Sequence, residues 1–184
     1  MRAILAAALL HCSSGALAQP PLLGPATSAY TDVDLDRCSR VSRVEEGDSS
    51  IWRCRGHGGI PLWVLSGDGR FDVDAGENND QFESQPGFNN PPRRIEWRLR
   101  AGRPRAIIYR LHLTGDGNDG RTLLGVETIG RSGQWAGCLI AWVDGDVPNA
   151  NALAGRIADR DNRRFRCGHT EPEHWTRRGL RNPQ

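Results

Sequence analysis

Lysine is absent from this 184-residue chain; all 24 basic residues are arginine. With many Ala and Gly residues, that pattern points to the codon bias of a GC-rich genome rather than to a function. Net charge is also small, at +2. A nucleic-acid binder held by bulk charge is therefore excluded. Nothing after the first few residues is long and apolar enough to span a bilayer. There is no G-x-S-x-G elbow, so the glycines of "CRGHGG" do not read as the oxyanion loop of an esterase. No internal repeat is visible.

What is present begins with an address. "MRAILAAALLHCSSGALAQP" has a basic residue at Arg2, an apolar run from Ala3 to Leu10 and an A-x-A site at Ala16–Ala18. It reads as a signal peptide over residues 1–18, with Gln19 opening the mature chain. Lipidation at Cys12 is the rival, and His11 stands where that chemistry needs a small residue. Residues 19–29 read as a flexible Pro- and Ala-rich lead-in, 30–170 as one domain, and 171–184 as a loose polar tail.

Loss of the leader removes Cys12 and leaves Cys38, Cys54, Cys138 and Cys167. An even set in an exported chain reads as two disulfides. Three pairings are open. The favoured one joins Cys38 to Cys54 and Cys138 to Cys167, because each bond then closes a short loop. Each is worth roughly 3 kcal/mol.

The rest alternates like strands. Asp32, Asp34 and Asp36 in "YTDVDLDRC" would share one strand face. Strands are expected around Ile51–Arg55 and Leu62–Leu65, with a tight turn at Ser66–Gly69 and a return through Phe71 and Val73. "ENNDQFESQPGFNNPPRR" reads as a long surface loop. Ile95, Trp97 and Leu99 alternate with Arg94, Glu96, Arg98 and Arg100, as a half-solvated antiparallel strand requires. Further strands are expected over 105–113, 122–129 and 137–143. The period then changes: Ala150, Leu153, Ala154, Ile157 and Ala158 recur at helical spacing. Asp146 or Asn149 can cap that helix, and Pro148 suits its first turn. The expected class is α+β, a mainly antiparallel β-sheet with one C-terminal amphipathic helix, tied by disulfides.

Several stretches invite a functional reading. Gly115, Gly117 and Gly120 spell G-x-G-x-x-G, but strand-forming residues follow where a dinucleotide loop needs a helix. As a calcium loop, Asp116, Asn118 and Glu127 occupy ligand positions, yet Arg121 stands where a glycine is needed. A hairpin turn accounts for all of them. In "CRGHGG" Cys54 beside His57 could be a nucleophile pair, and a disulfide next to a glycine turn is the plainer reading. His169 and His174 around Glu171 and Glu173 fit no defined metal spacing. Asp68, Asp72 and Asp74 could bind a cation or exchange protons, which requires a buried, perturbed carboxylate. The best patch is basic: Arg94, Arg98 and Arg100 on one strand face, joined by Arg110, could hold an anion or an acidic protein loop.

The stretches "YTDVDLDRC", "WRCRGHGGIPLWVLSGDGRFDV", "RRIEW" and "VPNANALAGRIAD" resemble a group of small exported proteobacterial proteins of uncharacterised function. The resemblance implies a compact secreted domain with paired cysteines and transfers no catalytic residue. The expected role is a periplasmic or secreted binding or inhibitor-type protein. Its partner would be an envelope or extracellular protein or an anionic ligand, with no nucleic acid, no transmembrane segment, no cofactor, no metal and no catalytic residue. A periplasmic hydrolase is the alternative. The binding reading expects a rigid, disulfide-tied surface without a buried acid–base pair. The hydrolase reading expects a cleft that gathers two or more of His57, His112 and the aspartates.

Overall fold

Apolar runs such as "AIIY", "LLGV" and "LIAWV" are too continuous for a half-solvated strand. The structure, a computed structural model, shows why: the strands that carry them are covered on both faces. It describes residues 24–43, 49–78, 81–84, 87–115, 117–133, 137–160, 162 and 165–181. The expected leader, with Cys12 and the expected cleavage site, and Asp116 of the expected loop lie outside the described residues.

The first sheet contains β1 (Thr27–Asp32), β6 (Phe88–Asn90), β7 (Arg94–Arg100), β8 (Arg103–Thr114), β9 (Thr122–Thr128), β10 (Leu139–Asp144), β11 (Glu173–Thr176) and β12 (Gly179–Arg181). Its order is β1-β7-β8-β9-β10-β11-β12, with β6 also on β8. All its pairs are antiparallel except β10 with β11. The second sheet is the meander β2 (Ser39–Arg43), β3 (Ser50–Arg55), β4 (Pro61–Gly67) and β5 (Arg70–Ala75). One helix, α1 (Ala150–Asp159), completes the chain's regular structure among the described residues.

Three layers result. Ile95, Trp97, Ile107, Tyr109, Leu111, Leu123 and Leu139 turn towards Cys54, Leu62, Val64, Val73 and Ala75 of the second sheet. On the opposite face Ala106, Ile108, Leu124, Val126, Ala141 and Val143 meet Ala150, Ala154, Ile157 and Ala158 of α1. Alternation along β8, β9 and β10 thus supplies two cores rather than one core and a wet face. Arg98 pairs Asp159 at the helix end and so belongs to the helix-covered side.

The disulfides join Cys38 to Cys54 and Cys138 to Cys167, the sequential pairing. The first fastens the start of β2 to β3, and the second fastens β10 to the chain beyond α1.

Four expectations need correction. The aspartates at 32, 34 and 36 do not share a strand face: β1 ends at Asp32 and a 3-10 turn occupies Leu35–Arg37. Asp34 caps that turn by accepting the Asp36 N–H at 3.2 Å. The stretch from Glu77 to Arg94 is not all surface loop, since it contains β6 and the buried Asn89. Asn149 begins α1 but makes no side-chain cap bond, and its φ of 57° is left-handed. Residues 171–181 are not a loose tail. They form β11 and β12, so α1 is not the C-terminal element. The physical reason is pairing: β11 lies parallel to β10 with Trp142 opposite His174, and Trp175 packs on the helix-side core.

Candidate functional site

A groove opens where the β6–β7 edge breaks. Asn90 lies opposite His112 and Ile95 opposite Tyr109 on β8, so on that side the four residues 91–94 span only Arg110 and Leu111. Pro91 and Pro92 cannot donate to the ladder, and the chain bulges there. The exit of β1 runs past the bulge, held by the Val33 N–H on the Arg93 carbonyl at 2.9 Å. Between them lies a cavity of about 590 Å³ lined by Val33–Asp36, Asn90–Arg93 and His112.

Its chemistry is mixed. Val33, Leu35, Pro91 and Pro92 supply apolar surface, while Asp34, Asp36, Arg93 and His112 are exposed charged or polar groups. One Asp34 oxygen is occupied by the cap bond. Among the described residues, His112 makes no side-chain hydrogen bond to either carboxylate. The groove therefore collects a histidine and two aspartates without aligning them as a general-base pair.

A second cluster is buried. Asp72 and Asp74 of β5 and Glu127 of β9 are 1%, 0% and 1% exposed. Asp72 Oδ1 accepts the Val73 N–H at 2.8 Å and the Tyr109 hydroxyl at 3.4 Å, and its Oδ2 accepts the Glu83 N–H at 2.7 Å. Glu83 in turn accepts the Leu139 N–H through Oε2 at 3.0 Å. Glu127 Oε1 is buried and has no hydrogen-bond partner. Burial pushes the Glu127 carboxyl well above its usual range, and Asp74, Asp72 and Glu83 add to the shift against one bond from the Ala75 N–H. Burial likewise raises Asp72, against its three hydrogen bonds. Tyr109 is pushed well up by burial and then by the four acids. Among the described residues, no group of three or more acids, histidines or cysteines is arranged to hold a metal ion.

The basic residues singled out in the sequence do not form one open patch. Arg94 pairs Asp32 at 2.7 Å on the surface. Arg98, with a side chain 15% exposed, binds Glu96 at 3.0 Å, Ser28 at 2.6 Å and the Asp159 carboxylate. Arg100 donates to the Asp159 carbonyl at 3.0 Å. Arg110 donates to Thr122 at 2.8 Å and Asn151 at 2.7 Å. Three of the four thus stitch the sheet to α1, whose end and first turn supply the oxygens.

The remaining motifs resolve structurally. Gly115, Gly117 and Gly120 all have positive φ, and Asn118 and Arg121 donate backwards to the Gly115 and Asn118 carbonyls. The loop is a hairpin turn between β8 and β9, and no helix follows it. Glu127 lies inside β9, away from any loop ligand position. Cys54 is oxidised, and His57 lies beside Trp97 with ring centroids 6.0 Å apart and planes tilted by 42°. His174 pairs with Asp144. Asp68 is exposed, unlike Asp72 and Asp74.

Sequence reasoning named Asp72 and Asp74 but missed Glu83, which sat in a stretch read as surface, and took Glu127 only as a loop position. The available signal was a carboxylate within the apolar strand "LLGVE". No protein-family model, curated protein or solved structure matches this chain.

Proposed function

We propose that this chain is an exported binding protein that takes an organic cation with an apolar body, a free amine or a basic side chain of a partner, in the groove at Val33–Asp36, Asn90–Arg93 and His112. The observation that carries the reading is the placement of the Asp34 and Asp36 carboxylates beside Val33, Leu35, Pro91 and Pro92 in one hollow. A volume near 590 Å³ falls within the range of small-ligand sites, about 300–1,000 Å³. Export is supported by the leader-like N-terminus and by two disulfides, which persist in oxidising compartments. Among the described residues, no helix is long and apolar enough to cross a membrane. Periplasmic or secreted location, and the resemblance to small exported proteobacterial proteins, belong to the same reading. An anionic ligand on Arg94, Arg98, Arg100 and Arg110 is less favoured, because each already has an internal partner.

The test is a titration of the isotope-labelled protein with agmatine and benzylamine, followed by amide shifts. Shifts centred on Val33, Leu35 and His112, weakened at least tenfold in Asp34→Asn/Asp36→Asn, are expected. Shifts scattered over the surface, or unaffected by the double change, would overturn the reading. Hydrolysis is the second reading, favoured by His112 sharing the groove with two aspartates. It requires turnover of a model ester or amide that His112→Ala abolishes.

A further inference from the structure

Two stretches of chain face each other across the groove, and they carry charges of opposite sign. On one side Asp34 caps the 3-10 turn at Leu35–Arg37 and Asp36 lies within it, both exposed. Asp34 gives one oxygen to the Asp36 N–H at 3.2 Å. Among the described residues, no other hydrogen bond and no ion pair reaches either carboxylate. On the other side stand Asn90, Arg93 and His112, exposed as well. Asn90 and His112 are cross-strand partners in the β6–β8 register, so their side chains share one face. An amide and an imidazole each offer N–H groups, and the Arg93 guanidinium offers a fork of them. None of these three side chains has a hydrogen bond or an ion pair among the described residues.

One step along the same edge the charges do meet. Asp32 and Arg94 are register partners, and their side chains close to 2.7 Å. Within the groove the backbone prevents this. The Val33 N–H on the Arg93 carbonyl fixes the two stretches to each other at 2.9 Å. Beyond that bond the turn carries Asp36 off the line of β1, and the rings of Pro91 and Pro92 fix φ in the bulge opposite. Opposite charges therefore line one hollow of about 590 Å³ without closing on each other. A ligand with positive charge alone would satisfy the acids and leave Arg93 facing a like charge. A ligand that also carries a carboxylate answers both sides, because a guanidinium fork matches a carboxylate in charge and in shape.

We propose that the groove selects a zwitterion: a free amino acid whose cationic group meets Asp34 and Asp36 and whose carboxylate meets Arg93, with Asn90 and His112 as further donors. The proposal rests on the groove reading above and narrows it from amines in general to amines that carry a carboxylate. Val33, Leu35, Pro91 and Pro92 cover the apolar stem between the two charged ends. The hollow is of a size for a small molecule. Selectivity is a difference of affinities, and Arg93 supplies both halves of it. It attracts the carboxylate of an amino acid and repels the corresponding plain amine.

Agmatine and arginine differ by a single carboxylate, as do benzylamine and phenylglycine, so the two matched pairs isolate the second charge. In the isotope-labelled wild type, arginine should bind about fivefold more tightly than agmatine, the upper end for a solvent-exposed ion pair. Phenylglycine should exceed benzylamine by a similar factor. The Val33 and Leu35 amides should shift with all four ligands, and the Arg93 Nε–H only with the two that carry a carboxylate. Arg93→Gln should reverse the order: arginine weakens, and agmatine, freed from a like charge, tightens. Arg93→Lys should keep part of the preference, since the charge stays and the fork is lost. Agmatine binding as tightly as arginine to the wild type would overturn the proposal and leave the groove reading standing, and that comparison needs no variant. A preference for arginine that survives Arg93→Gln would overturn it too. If no member of either pair moves the groove amides, the groove reading falls and the proposal falls with it.

Discussion

His174 Nε2 stands 2.9 Å from Asp144 Oδ1, across the parallel pairing of β11 with β10. The pair marks residues 171–181 as an integral edge of the first sheet. Cys167 holds the approach to β11 by its bond to Cys138, and Trp175 covers part of the helix-side core. Removing residues 171–184 should cost at least about 2 kcal/mol, the scale of withdrawing one large apolar side chain from packing. Urea denaturation checks this. A midpoint equal to that of the full chain would return the segment to a loose tail.

Within that edge, Arg160 forks onto Glu173 with contacts of 2.9 and 2.8 Å, and the Trp175 indole donates to Glu173 at 2.7 Å. Burial alone would raise the Glu173 carboxyl, but these two partners outweigh it and the group ends below its ordinary value. The sign is opposite to that of Glu127. Its small contribution is present above the ordinary glutamate range and disappears as pH falls through the folded value. Glu173→Gln should therefore be destabilising at neutral pH and indistinguishable from wild type in strong acid. The pair is part-exposed and screened, so added salt should shrink the difference. A difference that grows on acidification would contradict the assignment.

Arg98 is expected to act as a structural tie. Its guanidinium reaches Ser28 on β1, Glu96 on its own strand and Asp159 at the end of α1, and these acids raise its proton affinity, Asp159 most. Arg98→Ala should cost about 2–3 kcal/mol, somewhat less than stripping one partner from a fully buried ion pair, because the carboxylate partners are part-exposed. Arg98→Lys should restore little, because a point charge cannot replace the planar fork. Chemical denaturation and the groove titration together decide the role. Loss of amine binding with unchanged stability would make Arg98 a ligand contact instead.

Much of the architecture was legible because it rests on local pattern. The period of two in "RIEWRL" and the period near 3.6 in "ANALAGRIAD" are set by which faces are covered, and covering is what the structure displays. The disulfide pairing was legible from loop length. Glu173 to Thr176 was not, since a four-residue strand rich in polar groups has no periodicity to read and is defined by its neighbour β10. Both site candidates rest on long-range placement. Asp36 and His112 share a groove because a proline bulge separates β6 from β7, and Glu83 reaches Leu139 across 56 residues of sequence. No spacing rule encodes such meetings. The arginines of β7 were legible as a basic strand face, but their partners were not: Arg94 meets Asp32 of β1, and Arg98 and Arg100 meet Asp159 at the end of α1, oxygens that no local pattern assigned to them.

Gly125 and Tyr109 give the sharpest test of the inter-sheet packing. They face each other in the β8–β9 register. Tyr109 lies across the glycine: a Cβ at 125 would stand 2.4 Å from its Cζ and 2.8 Å from its hydroxyl oxygen. The same ring meets Trp142 edge-on with centroids 6.0 Å apart, and its hydroxyl reaches Asp72. Gly125→Ala must push the ring aside. Because interiors are close-packed, the cost should be about 1–3 kcal/mol, the usual range for overpacking. The near-ultraviolet circular dichroism from the Tyr109–Trp142 pair should change with it. A Tyr109→Phe background should not rescue the alanine, since Cζ and Cε2 still collide. A Tyr109→Leu background should remove most of the coupling in a double-mutant cycle. If the penalty of Gly125→Ala were instead the same in the leucine background, the glycine would be required by the backbone of β9 and not by the ring above it.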